Sequence, residues 1–180
     1  MFRKLVLGTL LTFSLASTAW AADRNNLQVF RDVSRQVHQC PYFTIFEAVH
    51  AGVDNGVVTL TGKVTVPYKS AEIAKRVGKV DGVRRVQNKL QVLPASTFDD
   101  QLRVGIARAI YSHPSLSQYG MGSNPSIHVI VERGRVTLDG VVNNDADKMI
   151  ARSVASSFDS FGVKNELKTN DEMRREMERL

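Results

Sequence analysis

The segment Gly56-Val57-Val58-Thr59-Leu60-Thr61-Gly62 recurs 78 residues later as Gly134-Arg135-Val136-Thr137-Leu138-Asp139-Gly140, with five of seven positions identical. At the same offset Val49, Ala51 and Val53 map onto Ile127, Val129 and Val131, and His50 onto His128. Downstream, Val86-Gln87-Asn88-Lys89-Leu90 matches Val163-Lys164-Asn165-Glu166-Leu167 at an offset of 77. Self-similarity held in register is the mark of a duplicated unit, and two units are too few for a solenoid. In a chain of 180 residues this implies two small domains, each with its own core.

Both units read in the same order. In the first, Asn26 caps a helix with Leu27, Phe30, Val33 and Val37 at helical spacing. Val49, Ala51 and Val53 then alternate up to Asp54-Asn55-Gly56, a tight hairpin signal, and Val58 and Leu60 alternate out of it. Pro67 opens a second helix carrying Ile73, Ala74, Val77 and Val80 on one side. Asp81-Gly82 turns the chain into a last strand with Val86, Asn88, Leu90 and Val92 on one face.

The second unit starts at Ser96 or Thr97 as cap, with the stripe Leu102, Ile106, Ala109 and Ile110. Its hairpin strands are Ile127–Val131 and Val136–Val142, and its second helix begins after Asn143 or Asn144 and carries Ala146, Ile150 and Val154. Two helices covering one face of a three-stranded mixed sheet make a two-layer α+β domain. The expected boundaries are 23–94 and 96–169, with a charged tail at 170–180.

Period-2 alternation leaves His50, Gly52, Thr59, Thr61, Arg85, Gln87, Lys89 and Gln91 on the uncovered face of the first sheet. In the second it leaves His128, Ile130, Glu132, Arg135, Thr137, Asp139, Lys164, Glu166 and Lys168. Both sets are mainly polar, so both faces are expected to be solvated, with His50 and His128 exposed.

The motif Gly-x-Val-x-Leu-x-Gly, at Gly56–Gly62 and again at Gly134–Gly140, resembles the BON-domain family (bacterial OsmY and nodulation). So does Gly82-Val83 followed by Val86, Asn88 and Leu90, echoed by Val163, Asn165 and Leu167. The second copy departs where Asp159-Ser160 replaces Gly82-Val83, with one residue fewer. The resemblance covers about 140 residues. It implies a non-enzymatic envelope protein, attached to phospholipid and serving envelope integrity or osmotic protection, like the osmotically induced periplasmic members.

Met1 to Ala21 reads as a secretory signal: Arg3 and Lys4, a short apolar stretch from Leu5 to Ala16, then Ala19-Trp20-Ala21. The stretch is too short to span a bilayer. A periplasmic protein starting near Ala22 is therefore expected. The single cysteine, Cys40, has no intrachain partner and cannot by itself build a thiolate zinc site. An intermolecular disulfide or a reactive thiol is one reading of it; the favoured one is a small buried hydrophobe at a helix end.

Catalytic chemistry finds little support. His38-x-Cys40 does not face one way on a helix. No HExxH, Gly-x-Ser-x-Gly, P-loop or paired CxxC occurs. Asp99-Asp100 and Asp145-x-Asp147 fall in first turns of helices, where negative charge offsets the macrodipole. No enzyme, cofactor or metal is expected, and no catalytic residue is assigned.

Charge is unevenly spread. The chain carries +6 overall; residues 23–94 hold 11 Lys and Arg against 6 Asp and Glu, and residues 95–169 hold 8 against 8. Lys69, Lys75, Arg76, Lys79, Arg84, Arg85 and Lys89 cluster on the second helix, the next turn and the last strand of the first unit. Such a group is drawn to an anionic lipid surface at about 1 kcal/mol per cation. Export and the absence of interleaved aromatics weigh against nucleic acid. In the second unit, Ser112–Ser126 is a long loop with Tyr119 and Met121, preceded by Tyr111, and is expected to insert shallowly into headgroups. The tail places Met173, Met177 and Leu180 on one stripe but is expected to fray unless it packs.

The expected function is reversible association with anionic envelope lipid. An alternative is a periplasmic chaperone or adaptor binding unfolded or outer-membrane proteins along the open sheet faces and edges. A third is a structural module that oligomerises through sheet edges or Cys40.

Overall fold

A computed structural model describes residues 25–122 and 124–178. The expected signal, Met1–Ala21, lies outside the described residues. The first domain runs α1 (Asn26–His38), β1 (Ala48–Asp54), β2 (Val57–Val64), α2 (Pro67–Val77) and β3 (Arg85–Val92). The second repeats the order as α3 (Thr97–Ser112), β4 (Ile127–Glu132), β5 (Arg135–Val142), α4 (Asp145–Ser156) and β6 (Val163–Asn165). A short β7 (Lys168–Thr169) and a closing helix α5 (Asn170–Met177) follow.

Each sheet is mixed. β1 pairs antiparallel with β2, and β3 returns parallel to β2 through α2; β4, β5 and β6 do the same. The eight-residue β3 has a broken counterpart: β6 stops at Asn165, and β7 resumes the parallel pairing with β5 at Val141 and Val142. Two separate cores fill the helix–sheet interfaces. Val33, Leu60 and Ile73 lie at the centre of one, and Ile106, Leu138 and Ala151 at the centre of the other. Cys40 is a buried member of the first core.

The repeated residues make repeated bonds. Asn88 Nδ2 reaches α2 at Ser70, 2.9 Å from its Oγ and 3.3 Å from its carbonyl oxygen. Asn165 Nδ2 donates to the Lys148 carbonyl of α4 at 2.8 Å, the position equivalent to Ser70. Each asparagine also accepts from the backbone two residues on, at Leu90 and Leu167. One side chain thus ties the last strand to the second helix in both domains.

Several local expectations shift by a residue. The cap of α1 is Asn25, whose side chain accepts from Gln28 N, while Asn26 Oδ1 accepts from Asn55 N of the β1–β2 turn at 3.0 Å. The buried stripe of α1 is Val29, Val33 and Val37. In α4 the inward positions are Asp147, Ala151 and Ala155, with Ile150 and Val154 at the margin and Ala146 exposed.

The two domains meet at the Ala48–Lys63 end of the first sheet, so the expected solvated face holds for most of that sheet, where His50, Gly52, Thr61, Arg85, Lys89 and Gln91 are exposed, and fails in the second at His128 and Ile130. Lys63 pairs with Glu132, Ala48 packs with Ile130 and Leu93, and His50 Nε2 stands 3.3 Å from Asp139 Oδ2. His128, expected to be exposed, is 8% exposed: its ring lies 5.1 Å from that of Phe43, and Nδ1 is 3.1 Å from the Thr44 carbonyl oxygen. His50 stays exposed. The segment before β1 also closes the outer edge of β4, with Val129 N donating to Ile45 O at 2.8 Å. The domain contact buries β4 on both sides, which strand alternation within one domain cannot reveal.

Candidate functional site

The cations of the first domain divide in two. Lys75 in α2, Lys79 after it, Arg84 in the turn and Arg85 and Lys89 on β3 are exposed. β3 is the outermost strand of its sheet, so α2 sets Lys75 and Lys79 on one side of a free edge while Arg85 and Lys89 project on the other. The result is a cationic rim wrapped around β3.

Lys69 and Arg76 do not belong to that rim. Lys69 Nζ lies 2.6 Å from Glu47 Oε1, and Glu47 is fully buried. Thr44, through N and Oγ1, and Thr65, through Oγ1, also donate to that carboxylate. Burial alone would push the Glu47 pKa up, but the hydrogen bonds from Lys69, Thr44 and Thr65 outweigh it and hold the carboxyl below its ordinary value. A buried carboxylate demands a counter-charge, and Lys69 supplies it instead of facing solvent. Arg76 Nε is tied to Glu72 Oε1 at 3.1 Å along the helix.

The expected insertion loop of the second domain packs Leu116 and Tyr119 into its core. Residues Ser117–Gly120 form a turn of 3-10 helix, and Leu116 is fully buried. Tyr119 is buried, donating to Asp147 Oδ2 at 2.5 Å and accepting from Asn143 N at 2.8 Å. Tyr111 is half-buried and donates to the Ile127 carbonyl; burial pushes its pKa up to about 12. Neither tyrosine is placed to enter a headgroup layer, because each ring fills the domain and each hydroxyl is satisfied inside it. Met121 is 74% exposed.

Two exposed phenylalanines sit elsewhere in the second domain, and Tyr42 and Tyr68 are exposed in the first. Phe161 is 75% exposed and Phe98 50%, both over the β4–β5 turn. A Cβ at Gly134 would stand 2.7 Å from Phe161 Cδ2 and 3.4 Å from Phe98 Cε1. Asp99, fully buried beneath them, accepts from Arg133 N at 2.8 Å and Gly134 N at 2.7 Å. Its carboxylate therefore fastens the start of α3 to the hairpin, beyond any interaction with the helix macrodipole. Sequence reasoning missed both phenylalanines; the available signal was that Phe161 aligns at the repeat offset with Arg84.

The tail is a helix, contrary to the expected fraying. Thr169 and Glu172 form a capping box, and Glu172 is 3.1 Å from Lys148 Nζ. The Thr169 N–H and the Lys148 ammonium hold the Glu172 carboxyl below its ordinary pKa. Within α5 the acid of Asp171 meets Arg174 at 3.4 Å. Met173 and Met177 face an apolar groove of about 280 Å³ between the domains, walled by Phe30, Phe43 and Val49. Among the described residues no cluster of three or more His, Cys, Asp or Glu side chains is arranged to hold a metal ion.

Two copies of one helix–hairpin–helix–strand unit, in contact through their hairpins and with a cationic rim on the first, define a tandem α+β protein. Residues 46–94 and 99–171 both match the family model of the BON domain, and the chain belongs to that family. It is 35% identical over 119 residues to osmotically-inducible protein Y of Escherichia coli (strain K12). That match covers 64% of this chain and 59% of the relative. Among solved structures, the C-terminal domain of CdsD, a structural protein of the type III secretion system of Chlamydia trachomatis, matches at 19% identity and a TM-score of 0.33. The match covers 80% of this chain and 66% of that one. A second structure of CdsD matches at 16% identity and a TM-score of 0.30, over 84% and 97% of the two chains.

Proposed function

We propose that this chain is a non-enzymatic, exported envelope protein that binds anionic phospholipid and supports the envelope under osmotic stress. The observation that carries the reading is the rim of Lys75, Lys79, Arg84, Arg85 and Lys89, exposed around the free edge of β3. Kinship with osmotically-inducible protein Y supports the link to osmotic stress, and the signal-like sequence Met1–Ala21 supports export. Each cation close to anionic lipid adds about 1 kcal/mol, and the attraction fades with salt.

Co-sedimentation with vesicles tests it. The purified protein is expected to pellet with phosphatidylglycerol vesicles and not with phosphatidylcholine vesicles, and to be released by 0.5 M salt, about three times physiological ionic strength. Reversing Lys75, Lys79, Arg85 and Lys89 to Glu should abolish the binding. Equal binding to both vesicle types, or an unaffected reversal variant, sinks the reading. A second reading, an adaptor that takes an extended protein segment by strand addition, is favoured by β3 itself: no described strand pairs with its outer edge.

A further inference from the structure

The closing helix α5 sits in a groove that it does not fill. Its side chains form two adjacent stripes: Glu172 and Glu176 at i, i+4, and Met173 and Met177 one position on. The acids pair with Lys148 of α4 and Lys168 of β7. The methionines line a cavity of about 280 Å³ whose other walls include Phe30 and Val37 of α1, Phe43, and Val49 of β1. That volume is open with α5 in place. Through His50, Asp139, Lys168 and Glu176 it adjoins a polar groove of about 620 Å³.

α5 is lightly held. None of its residues is fully buried, and the two methionines are half-buried. Its ion pairs stand partly in solvent, where such pairs add little. Eight residues are too few to stay helical without a surface beneath them. What seats the helix is its tether: α5 begins at Asn170, directly after β7, which keeps its local concentration at the groove high. The wall it faces suits a larger occupant. Phe30, Ser34 and Val37, at i, i+4 and i+7, turn one face of α1 toward the open volume.

We infer that this groove is a helix-docking site: α5 is its built-in occupant, and a longer amphipathic helix from a partner protein displaces it. Charge complementarity and shape define that helix. Lys148 and Lys168 call for acids four residues apart, and the apolar walls call for a large residue just after each acid. Methionine is a flexible filler, so Leu or Phe at the same positions packs the cavity better and outcompetes it. The site borders β1, with β2 between it and the cationic rim on β3, and so adds a protein-binding surface separate from the rim.

Fluorescence anisotropy with a labelled peptide tests this. The probe has the sequence of residues 169–180 with Met173→Leu and Met177→Leu. The receptor is the full chain carrying Met173→Asp and Met177→Asp, which frees the groove. The probe should bind this variant roughly tenfold more tightly than wild type, whose own tethered α5 competes. Adding Lys148→Glu and Lys168→Glu to the receptor should weaken binding roughly fivefold. Circular dichroism confirms the fold, and Met173→Ser/Met177→Ser gives the same comparison if aspartate disturbs it. Equal binding to wild type and variant overturns α5 as the occupant; no binding to the folded variant at about 1 mM probe overturns the docking site. A wild-type dimer in light scattering overturns the partner, because the helix docked in trans would then be α5 of a second copy.

Discussion

At the tip of the first domain the side chain of Arg84 packs over Gly56, its Cγ 3.0 Å from where a Cβ would stand; at the tip of the second the ring of Phe161 takes the same place over Gly134. Both residues hang from the same backbone bond to the turn glycine. The hairpin, the asparagine tie and the parallel last strand are common to the two domains. What differs is the side chain each scaffold presents to solvent. A duplicated fold thus separates its constant parts, which set position, from its variable parts, which set chemistry.

The constant parts should fail alike. Gly62 and Gly140 have φ of 120° and 122°, and a Cβ there would stand 2.1 Å from Ala48 O and 1.9 Å from Ser126 O. Backbone strain and a clash with main chain combine, so Gly62→Ala and Gly140→Ala should each destabilise by roughly 4 kcal/mol or more. Urea unfolding of the two variants checks this. A mild loss at one position and a severe one at the other would break the equivalence of the two closing glycines.

The variable parts should fail in one domain only. Glu47, with its ring of Thr44, Thr65 and Lys69, has no counterpart at the repeat offset, where Pro125 stands. Glu47→Ala leaves Lys69 largely buried without its partner and should cost about 3–5 kcal/mol. Because Thr44 and Ile45 also contact β4, the loss should reach the domain interface and raise amide exchange at His128 and Val129. Protection unchanged there would confine Glu47 to the first domain.

A finer comparison uses the paired asparagines. Asn165 is half-buried and Asn88 exposed, although each bonds to the second helix of its domain. Water can replace the partner of an exposed amide more cheaply than that of a buried one. Asn165→Ala should cost about 1–2 kcal/mol and Asn88→Ala about 0.5–1. Equal losses would show that exposure does not discount this bond.

These cases show what could be read from the residues alone. The duplication, the order of elements and the mixed sheets follow from glycine spacing and alternation, because those patterns express constraints internal to each unit. The cationic rim was legible as charge on one strand and helix, but the removal of Lys69 from it was not: Glu47 lies 22 residues away, and only the fold brings them together. Tyr119 looked like part of an exposed loop because a 3-10 turn has too short a period to announce itself, and Tyr111, in the last turn of α3, is covered by that same turn at Gly120. His128 and Ile130 follow their strand's alternation faithfully, yet the opposite domain covers the face they occupy. Relations between units leave no periodic trace in either one.

That domain contact supplies the smallest effect and the most specific one. Burial lowers the His128 pKa; the Asp139 carboxylate and the Thr44 carbonyl act against it, and His38, itself lowered by burial, adds to it. His50 stands across Asp139, and Lys168 and Glu176 line the same groove. A histidine whose pKa is depressed by folding favours the neutral form in the folded protein. Its contribution is complete above the ordinary imidazole pKa of about 6.5 and is lost progressively as pH falls below it. Glu47 works in the same direction but only at the lower pH where carboxylates titrate, so the two are separable. The urea midpoint should fall between pH 7.5 and 5.5 in the wild type, and fall less in His128→Phe, which keeps a ring against Phe43 without a titrating group. A midpoint equally sensitive in wild type and His128→Phe would place the titration elsewhere and deny the domain contact its difference from either core.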